Sequence, residues 1–434
     1  MNKVLVFSHN CFSQTSNNGK TLSNIFFKFS SEELCQLYLS ENEVPDFSVC
    51  KNYFQITDKE ILRSFFSLKS NVGKVVTKEI FRHQKQGNLQ KKIKPTRIND
   101  LRTIIRNLLW KSARWNSDKL QEWIRDQNPS CIFFVGGNYT FSHQIARIIS
   151  SESNIPLITY FTDDYIINPI YKRIIEKIYK YYLIRSFKKT VLESKLVFCI
   201  GEMMAQAYTE YFNRKFEPIM NCVESSKIKN YNQVYSSNII RISYFGGLHL
   251  KRSKSIISFS KCLKKINDID ETLKIEVYVY TFSEVEKKMK DEFSKNNVQL
   301  QKPVKGLDYE QAISESNLLL HVESDDPIVK SYTKLSVSTK LPEYFISYRP
   351  VIGFGPSDVA SMKLISDNDL GIVVDSKLNT KGDIEKLSEL LHSANQREYF
   401  ANKAYKYAYS KFLKEKVSIH LYNKLNQPIN HDFI

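Results

Sequence analysis

Short apolar runs alternate along this chain with longer stretches in which apolar residues recur every three or four positions. The runs at residues 4–7, 131–135, 157–161 and 196–200 read as buried strands. Several end in turn or polar residues: Gly136-Gly137-Asn138 after the second, Asp163-Asp164 after the third. The stretch 21–39, with Leu22, Ile25, Phe26 and Phe29 on one face, predicts a helix, and so does 202–212. A polar, Asn- and Ser-rich interval at 224–238 follows, and then the rhythm restarts. Strands are expected at 239–245, 273–280, 318–322, 351–354 and 371–374, with a helix at 253–266. The last forty or so residues read as basic helices with no strand after them.

Strand, helix, strand in steady alternation predicts parallel sheets covered by helices. The expected fold class is α/β, with two doubly wound Rossmann-like domains facing a cleft and basic helices at the C-terminus. The expected division is 1–223 for a first domain, 224–238 for a linker, 239–405 for a second domain, and 406–434 for a helical segment returning to the first. Ligands in open α/β sheets bind beyond the carboxyl ends of strands, which is where Gly136-Gly137 and Gly246-Gly247 fall.

Composition narrows the picture. At 434 residues, 42% of them hydrophobic, the chain is long enough for two cores. No apolar run is long enough to cross a bilayer or to serve as a secretory signal. The seven cysteines are scattered without a CxxC, which fits reduced, buried thiols and a cytoplasmic location. Eight histidines without paired spacing give no zinc motif, and no metal or other cofactor is expected. The net charge of +17 calls for an anionic partner, and charge alone does not select among phosphorylated small molecules, acidic lipid and nucleic acid.

Candidate chemistry concentrates at 338–354, Ser-Thr-Lys-Leu-Pro-Glu-Tyr-Phe-Ile-Ser-Tyr-Arg-Pro-Val-Ile-Gly-Phe. Thr339 and Pro342 suit a helix start, a hydroxyl cap followed by a residue that needs no donor. Lys340 and Glu343 would then lie in the first turn, where the positive end of the helix favours an anion such as a diphosphate. A carboxylate there also accepts bonds from sugar hydroxyls, so a nucleotide-sugar satisfies both. Glu343 alone is equally explained as a dipole-stabilising acid. Gly246-Gly247 followed by Arg252 at a helix entry is the second anchor: glycine lets backbone approach a ligand, and Arg can clamp phosphate. Its plain reading is a βα turn with a solvated Arg.

The Gly19-Lys20-Thr21 triplet lacks the earlier glycine of a P-loop, since Gln14 stands there. It reads as a loop at a helix N-terminus. Asp163-Asp164 and Asp325-Asp326 follow strands without further carboxylates at a metal-loop spacing, and Asp326-Pro327 resembles an ordinary turn. Asp163 is the better candidate to orient or deprotonate an acceptor hydroxyl. Two basic segments, near 82–115 and 171–189, interleave Lys and Arg with Ile, Leu, Trp and Tyr. Such helices suit an anionic membrane surface, and they are equally compatible with packing on their own domain behind a solvated basic face. Nucleic acid is not the expected partner, because no reading motif is present.

With these residues in view, the chain resembles the GT-B glycosyltransferases, and within them the family 4 type of bacterial polysaccharide and lipid-linked glycan assembly. Ser338 to Phe345 resembles the family's S-x-K-x-x-E-Y segment, residues 194–212 its strand and helix near the end of the first domain, and Tyr244-Phe-Gly-Gly-Leu with Arg252 the opening of its second. The resemblance implies a hexosyltransferase-like enzyme moving a sugar from a nucleotide-diphosphate donor to a glycan or lipid-linked acceptor. It implies retention of anomeric configuration, no active-site metal, and a cytoplasmic or inner-membrane-face location. It places Glu343 on the donor ribose, Arg252, Lys340 and Gly246-Gly247 on the diphosphate, and Gly19 where a glycine-rich loop approaches it. Two departures stand out. Leu335 occupies the place of the first Glu of the E-x7-E motif, which contacts the transferred sugar, and the Lys expected shortly after Arg252 is replaced by flanking Lys251 and Lys254. A nucleotide-sugar epimerase of the same fold, or a non-catalytic membrane-surface binding protein on a transferase scaffold, are the alternative readings.

Overall fold

The computed structural model describes residues 3–14, 17–41, 43–66, 72–79, 101–112, 114–225, 239–267, 274–377 and 381–427. Residues 82–100 of the first basic segment and 226–238 of the expected linker lie outside them. The chain divides into two compact units: Met1–Ile167, Tyr171–Met220 and Val417–Ile434 form the first, and Asn168–Ile170 with Asn221–Lys416 the second.

The first unit is built on an eight-stranded sheet. Its strands are β1 (Val4–Ser8), β2 (Leu34–Tyr38), β3 (Asn52–Gln55), β4 (Lys74–Val76), β5 (Cys131–Gly136), β6 (Leu157–Phe161), β7 (Ser194–Cys199) and β8 (Glu217–Pro218), in the order β4-β3-β2-β1-β5-β6-β7-β8. All neighbours run parallel except β3 and β4. One core lies between the sheet and the helices Asp118–Gln127 and Thr140–Ser153 and includes all three tryptophans, Trp110, Trp115 and Trp123. With only 13 glycines in the chain, asparagine takes the left-handed C-cap: Asn128 (φ 44°), Asn154 (φ 52°) and Asn213 (φ 50°) each close a helix. All seven cysteines are buried and none is in a disulfide.

The expected helix at 21–39 is a correction. The helix is Asn17–Ile25, and Leu34–Tyr38 is a fully buried strand. Leu34, Cys35, Leu37 and Tyr38 fit a helical stripe as readily as a strand buried on both faces, and periodicity does not separate the two. The short β3, β4 and β8 were not legible for the same reason or for brevity.

The second unit carries six parallel strands, β9 (Ile239–Phe245), β10 (Lys274–Tyr280), β11 (Val298–Gln301), β12 (Leu318–Val322), β13 (Val351–Gly355) and β14 (Gly371–Asp375), in the order β11-β10-β9-β12-β13-β14. The strand after β9 lies on one side of it and β12 on the other, so the winding reverses between β9 and β12. These two strands pair only at Ile242–Leu318 and Ser243–Leu319. Beyond that point their carboxyl ends have no ladder between them. The Tyr344 hydroxyl takes over the freed groups of β9: it accepts from the Phe245 N–H (2.9 Å) and donates to the Phe245 carbonyl (3.2 Å).

Candidate active site

Five of the sequence-derived residues, Gly246, Gly247, Arg252, Lys340 and Glu343, converge on the carboxyl edge of this second sheet. Gly246 and Gly247 follow β9, and the helix Arg252–Asn267 begins five residues later. The turn is tight. A Cβ on Gly247 would lie 2.5 Å from the His249 ring, and one on Gly246 would lie 2.8 Å from the Tyr244 hydroxyl. That hydroxyl donates to the Gly247 carbonyl (2.7 Å). Leu250 and Lys251, just before the helix, both take left-handed φ values of 57° and 58°. Consecutive non-glycine residues in that region store strain, which is more common at functional sites than elsewhere.

Arg252 turns inward, its side chain 16% exposed, and its guanidinium lies 3.6 Å from Glu323 Oε1. Glu323 follows β12, the neighbour of β9, and is 4% exposed. His321 Nε2 sits 3.2 Å from the same carboxylate oxygen, close enough for an ion pair but poorly directed for a hydrogen bond. Burial alone would raise the Glu323 carboxyl. His321 and the Arg252 guanidinium outweigh it and hold the group below the usual carboxylate range. Burial likewise opposes the Arg252 charge, and Glu323 and Tyr244 more than restore it. Both groups are therefore ionised. Yet Arg252 Nε, Glu323 Oε2 and His321 Nε2 are buried without a hydrogen-bond partner. Each such atom costs about 1–3 kcal/mol, so three at one point mark a place shaped for a polar group rather than for packing. Gly355 fixes the Glu323 backbone: at φ 152°, a Cβ there would stand 2.8 Å from the Glu323 carbonyl oxygen.

Lys340 and Glu343 complete the edge. Lys340 Nζ donates to Glu343 Oε2 (2.8 Å), the Tyr309 hydroxyl donates to the same oxygen (3.1 Å), and the Lys340 ammonium lies 5.0 Å from the Tyr309 ring centre. Tyr309 packs edge-on against Phe245 (5.0 Å), which stacks on Tyr280 (4.6 Å). Glu343 and Arg252 are thus connected through the aromatic group that surrounds the end of β9.

The helix start itself differs from expectation. The helix is only Leu341–Phe345, Lys340 occupies the N-cap with αR geometry, and no side chain caps it. Thr339 is held instead by its backbone, whose carbonyl accepts from Asn221 Nδ2 (2.9 Å). Five residues carry little dipole, so the anion-binding capacity of this segment rests on side-chain charge. Leu335 is buried at 4% exposure, a core residue where the motif would place an acid.

Gly19 and Asp163 belong to the first unit. Gly19 lies inside the helix Asn17–Ile25 rather than in a loop, and a Cβ there would stand 2.4 Å from the Cys11 carbonyl oxygen. Its lack of a side chain serves close backbone packing. Of the acidic pair, Asp164 is fully buried and accepts from Ile166 N, Ile167 N and the Tyr208 hydroxyl (2.9, 2.9 and 3.0 Å). Asp163 is half-buried beside the hydroxyls of Thr162 and Tyr165 (3.3 Å each). Asp326 caps the helix Pro327–Thr333 and pairs with Lys251, as its turn reading implies. Among the described residues no cluster of His, Cys, Asp and Glu is placed to hold a metal.

His321, Glu323 and Tyr309 were missed from sequence. His321 and Glu323 sit two apart at a strand end, so they share a face, and that spacing was the available signal.

No protein-family model matches the chain, and a comparison with curated proteins gives no match. Solved structures do match over nearly the whole length. TarM of S. aureus superposes with a TM-score of 0.59 at 12% identity, covering 98% of this chain and 99% of that one. The N-terminal domain of Candida albicans trehalose-6-phosphate phosphatase gives 0.63 at 10% identity, covering 98% and 97%. A glycosyltransferase from Rickettsia africae gives 0.55 at 10%, covering 98% and 99%. The chain has the GT-B fold. In the second unit, the strand order reverses between β9 and β12, the topological switch point at which open α/β sheets bind ligands.

Proposed function

We propose that this GT-B chain is a glycosyltransferase that uses a nucleotide-diphosphate sugar. The observation that carries the reading is the Arg252–Glu323–His321 group, a largely buried guanidinium with unmatched polar atoms at the switch point of the sheet. The donor diphosphate lies against Arg252 and the Gly246-Gly247 turn. Glu343, held by Lys340 and Tyr309, receives the ribose hydroxyls. As the bond between the sugar and the diphosphate breaks, negative charge grows on the leaving phosphate, and Arg252, already fixed by Glu323, stabilises it without reorganising. Lys340 adds a second positive charge at the same edge. Structures named for E. coli trehalose-6-phosphate with UDP-2-fluoro glucose, and for TarM with UDP, share this fold and support a nucleotide-linked donor. A glycan or lipid-linked acceptor and retention of configuration belong to the same reading. Leu335 leaves the transferred sugar without the carboxylate contact of the motif, so sugar selection must come from elsewhere.

A thermal-shift screen of UDP-, GDP- and dTDP-sugars tests the reading. One class is expected to raise the melting temperature in proportion to the logarithm of its concentration, with transfer to an acceptor in a coupled assay. No shift with any donor sinks the proposal. A shift with interconversion of the free sugar nucleotide, and no transfer, would favour the epimerase instead.

Glu343→Gln should weaken donor binding about 10-fold, since it replaces charge-assisted hydrogen bonds by neutral ones. Calorimetry with the donor identified in the screen measures it, and unchanged affinity would remove Glu343 from the ribose site.

A further inference from the structure

The helix Ile174–Glu193 in the first unit has two apolar faces. Its inner face is satisfied: Leu183, Phe187 and Val191 are buried, and Phe187 stacks on Phe161 at 4.7 Å. A helix that has already made its inward contact normally turns a polar face outward. This one does not. Ile174 is 78% exposed, Ile178 53%, Tyr181 60% and Tyr182 53%. At 100° per residue these positions fall on one side of the helix, within an arc of about 100°.

The same side carries Lys177, Arg185, Lys188 and Lys189, all exposed. None of the four has a carboxylate partner among the described residues. The two acids of the helix lie elsewhere. Glu176 is buried and caps the N-terminus, and Glu193, at the far end, pairs with Arg147. The helix Leu101–Trp110 extends the surface. Its Asn107 bonds the Tyr179 hydroxyl (3.1 Å), Lys111 reaches the Tyr182 ring (5.8 Å), and its Leu108 is 63% exposed.

A protein partner would be expected to meet four uncompensated cations with acids and to cover the isoleucines with a shaped apolar groove. An anionic bilayer offers both at once, without shape. Isoleucine and tyrosine rings enter the interface, and lysine and arginine stems lie along it with their heads at the lipid phosphates. The +17 charge of the chain adds long-range attraction of the same sign. We infer that this outer face of Ile174–Glu193, with Leu108 beside it, docks on an anionic lipid surface. The inference does not depend on the glycosyltransferase reading. Among the described residues no helix is long and apolar enough to cross a membrane, so the mode is lying on the surface rather than spanning.

The test is co-sedimentation with vesicles of phosphatidylcholine alone and of phosphatidylcholine mixed with phosphatidylglycerol, whose headgroups give a negative surface potential. Wild type is expected to sediment with the anionic vesicles at low salt, and to be released from them by raised salt. Two double variants, Ile178→Ser with Tyr181→Ser and Lys177→Glu with Arg185→Glu, should each weaken binding at least about 10-fold. Both pairs are on the outer face, so the tryptophan emission and melting temperature of each variant should match wild type. Wild type staying in the supernatant at low salt overturns the inference. So does undiminished binding by either double variant. A self-association seen by sedimentation velocity and abolished by the Ile178/Tyr181 pair, with vesicle binding intact, assigns the face to a second copy and overturns it too.

Discussion

Arg252→Ala is expected to lower turnover about 10²–10³-fold, the usual cost of removing one fixed donor from a developing anion. It should also destabilise the second unit. Removing the guanidinium leaves Glu323, 4% exposed, with only a poorly aligned His321 beside it. Breaking a buried pair from one side costs about 3–5 kcal/mol. The residual exposure of Arg252, 16%, places this case at the low end, about 3 kcal/mol. The two effects separate in a double-mutant cycle. Arg252→Ala with Glu323→Gln neutralises the stranded carboxylate, so denaturant stability should recover much of the loss while turnover stays low. Recovery of turnover along with stability would show that Arg252 acts on the fold and not on the donor. A single Arg252→Ala variant with wild-type turnover would remove it from the site.

Lowering the pH from 7 to 5 is expected to destabilise the first unit through His143. This residue is fully buried among Phe134, Phe161 and Phe187, with Nε2 2.9 Å from the Gly137 carbonyl and Nδ1 3.2 Å from the Thr190 hydroxyl. A carbonyl only accepts, so Nε2 carries the proton and Nδ1 is the acceptor. Burial lowers its pKa from 6.5 to about 4; the bond to the Gly137 carbonyl opposes the shift and Arg147 adds to it. The folded state thus refuses a proton that the unfolded chain takes up below 6.5. Stability is full above that value, falls as pH drops through it, and levels off below about 4, where both states are protonated. The whole shift corresponds to about 3 kcal/mol, of which about 2 kcal/mol falls between pH 7 and 5. All three tryptophans lie in the first unit's core, so urea unfolding followed by tryptophan emission reports on this unit. His143→Gln keeps a donor for Gly137 without a titrating ring, and its stability should be flatter over that interval. Equal slopes for the two proteins would mean that His143 does not set the acid limit.

Much of the second unit was legible because its strands are rich in apolar, β-branched and aromatic residues, with Leu318–Val322 and Val351–Gly355 buried throughout. Ile239 to Phe245 with Gly246-Gly247 is the clearest case, and the charged residues that follow such a run fall at the sheet edge by topology alone. Glu343 and Lys340 were legible as charges near a turn. What they touch was not, since Tyr309 reaches them from another helix, Leu307–Ser314. Glu323 was harder still. A lone Glu after a strand signals little until the fold brings a buried arginine opposite it, and the sequence separates the two by β10, β11 and β12. Thr339 was misread because a good cap residue followed by proline marks a helix start one residue early. Gly19 was misread because a buried glycine in a helix and a glycine in a loop have the same letter.

The last helix has a consequence for how the protein is made. After Lys416 the chain leaves the second unit, and from Val417 it completes the first: Ser418 accepts from the Lys28 N–H (2.6 Å), Tyr422 reaches Glu33 (3.2 Å), and Lys424 pairs with Glu217 (2.9 Å). Leu421 and Leu425 bury into the same unit. On the ribosome the first unit is therefore begun before the second and finished after it. Its sheet must wait, without the helix that closes it, until the whole second unit has emerged. That interval is the time needed to synthesise the second unit, on the order of ten to forty seconds at about 5–20 residues per second, and the incomplete first unit is exposed to aggregation and chaperones throughout it.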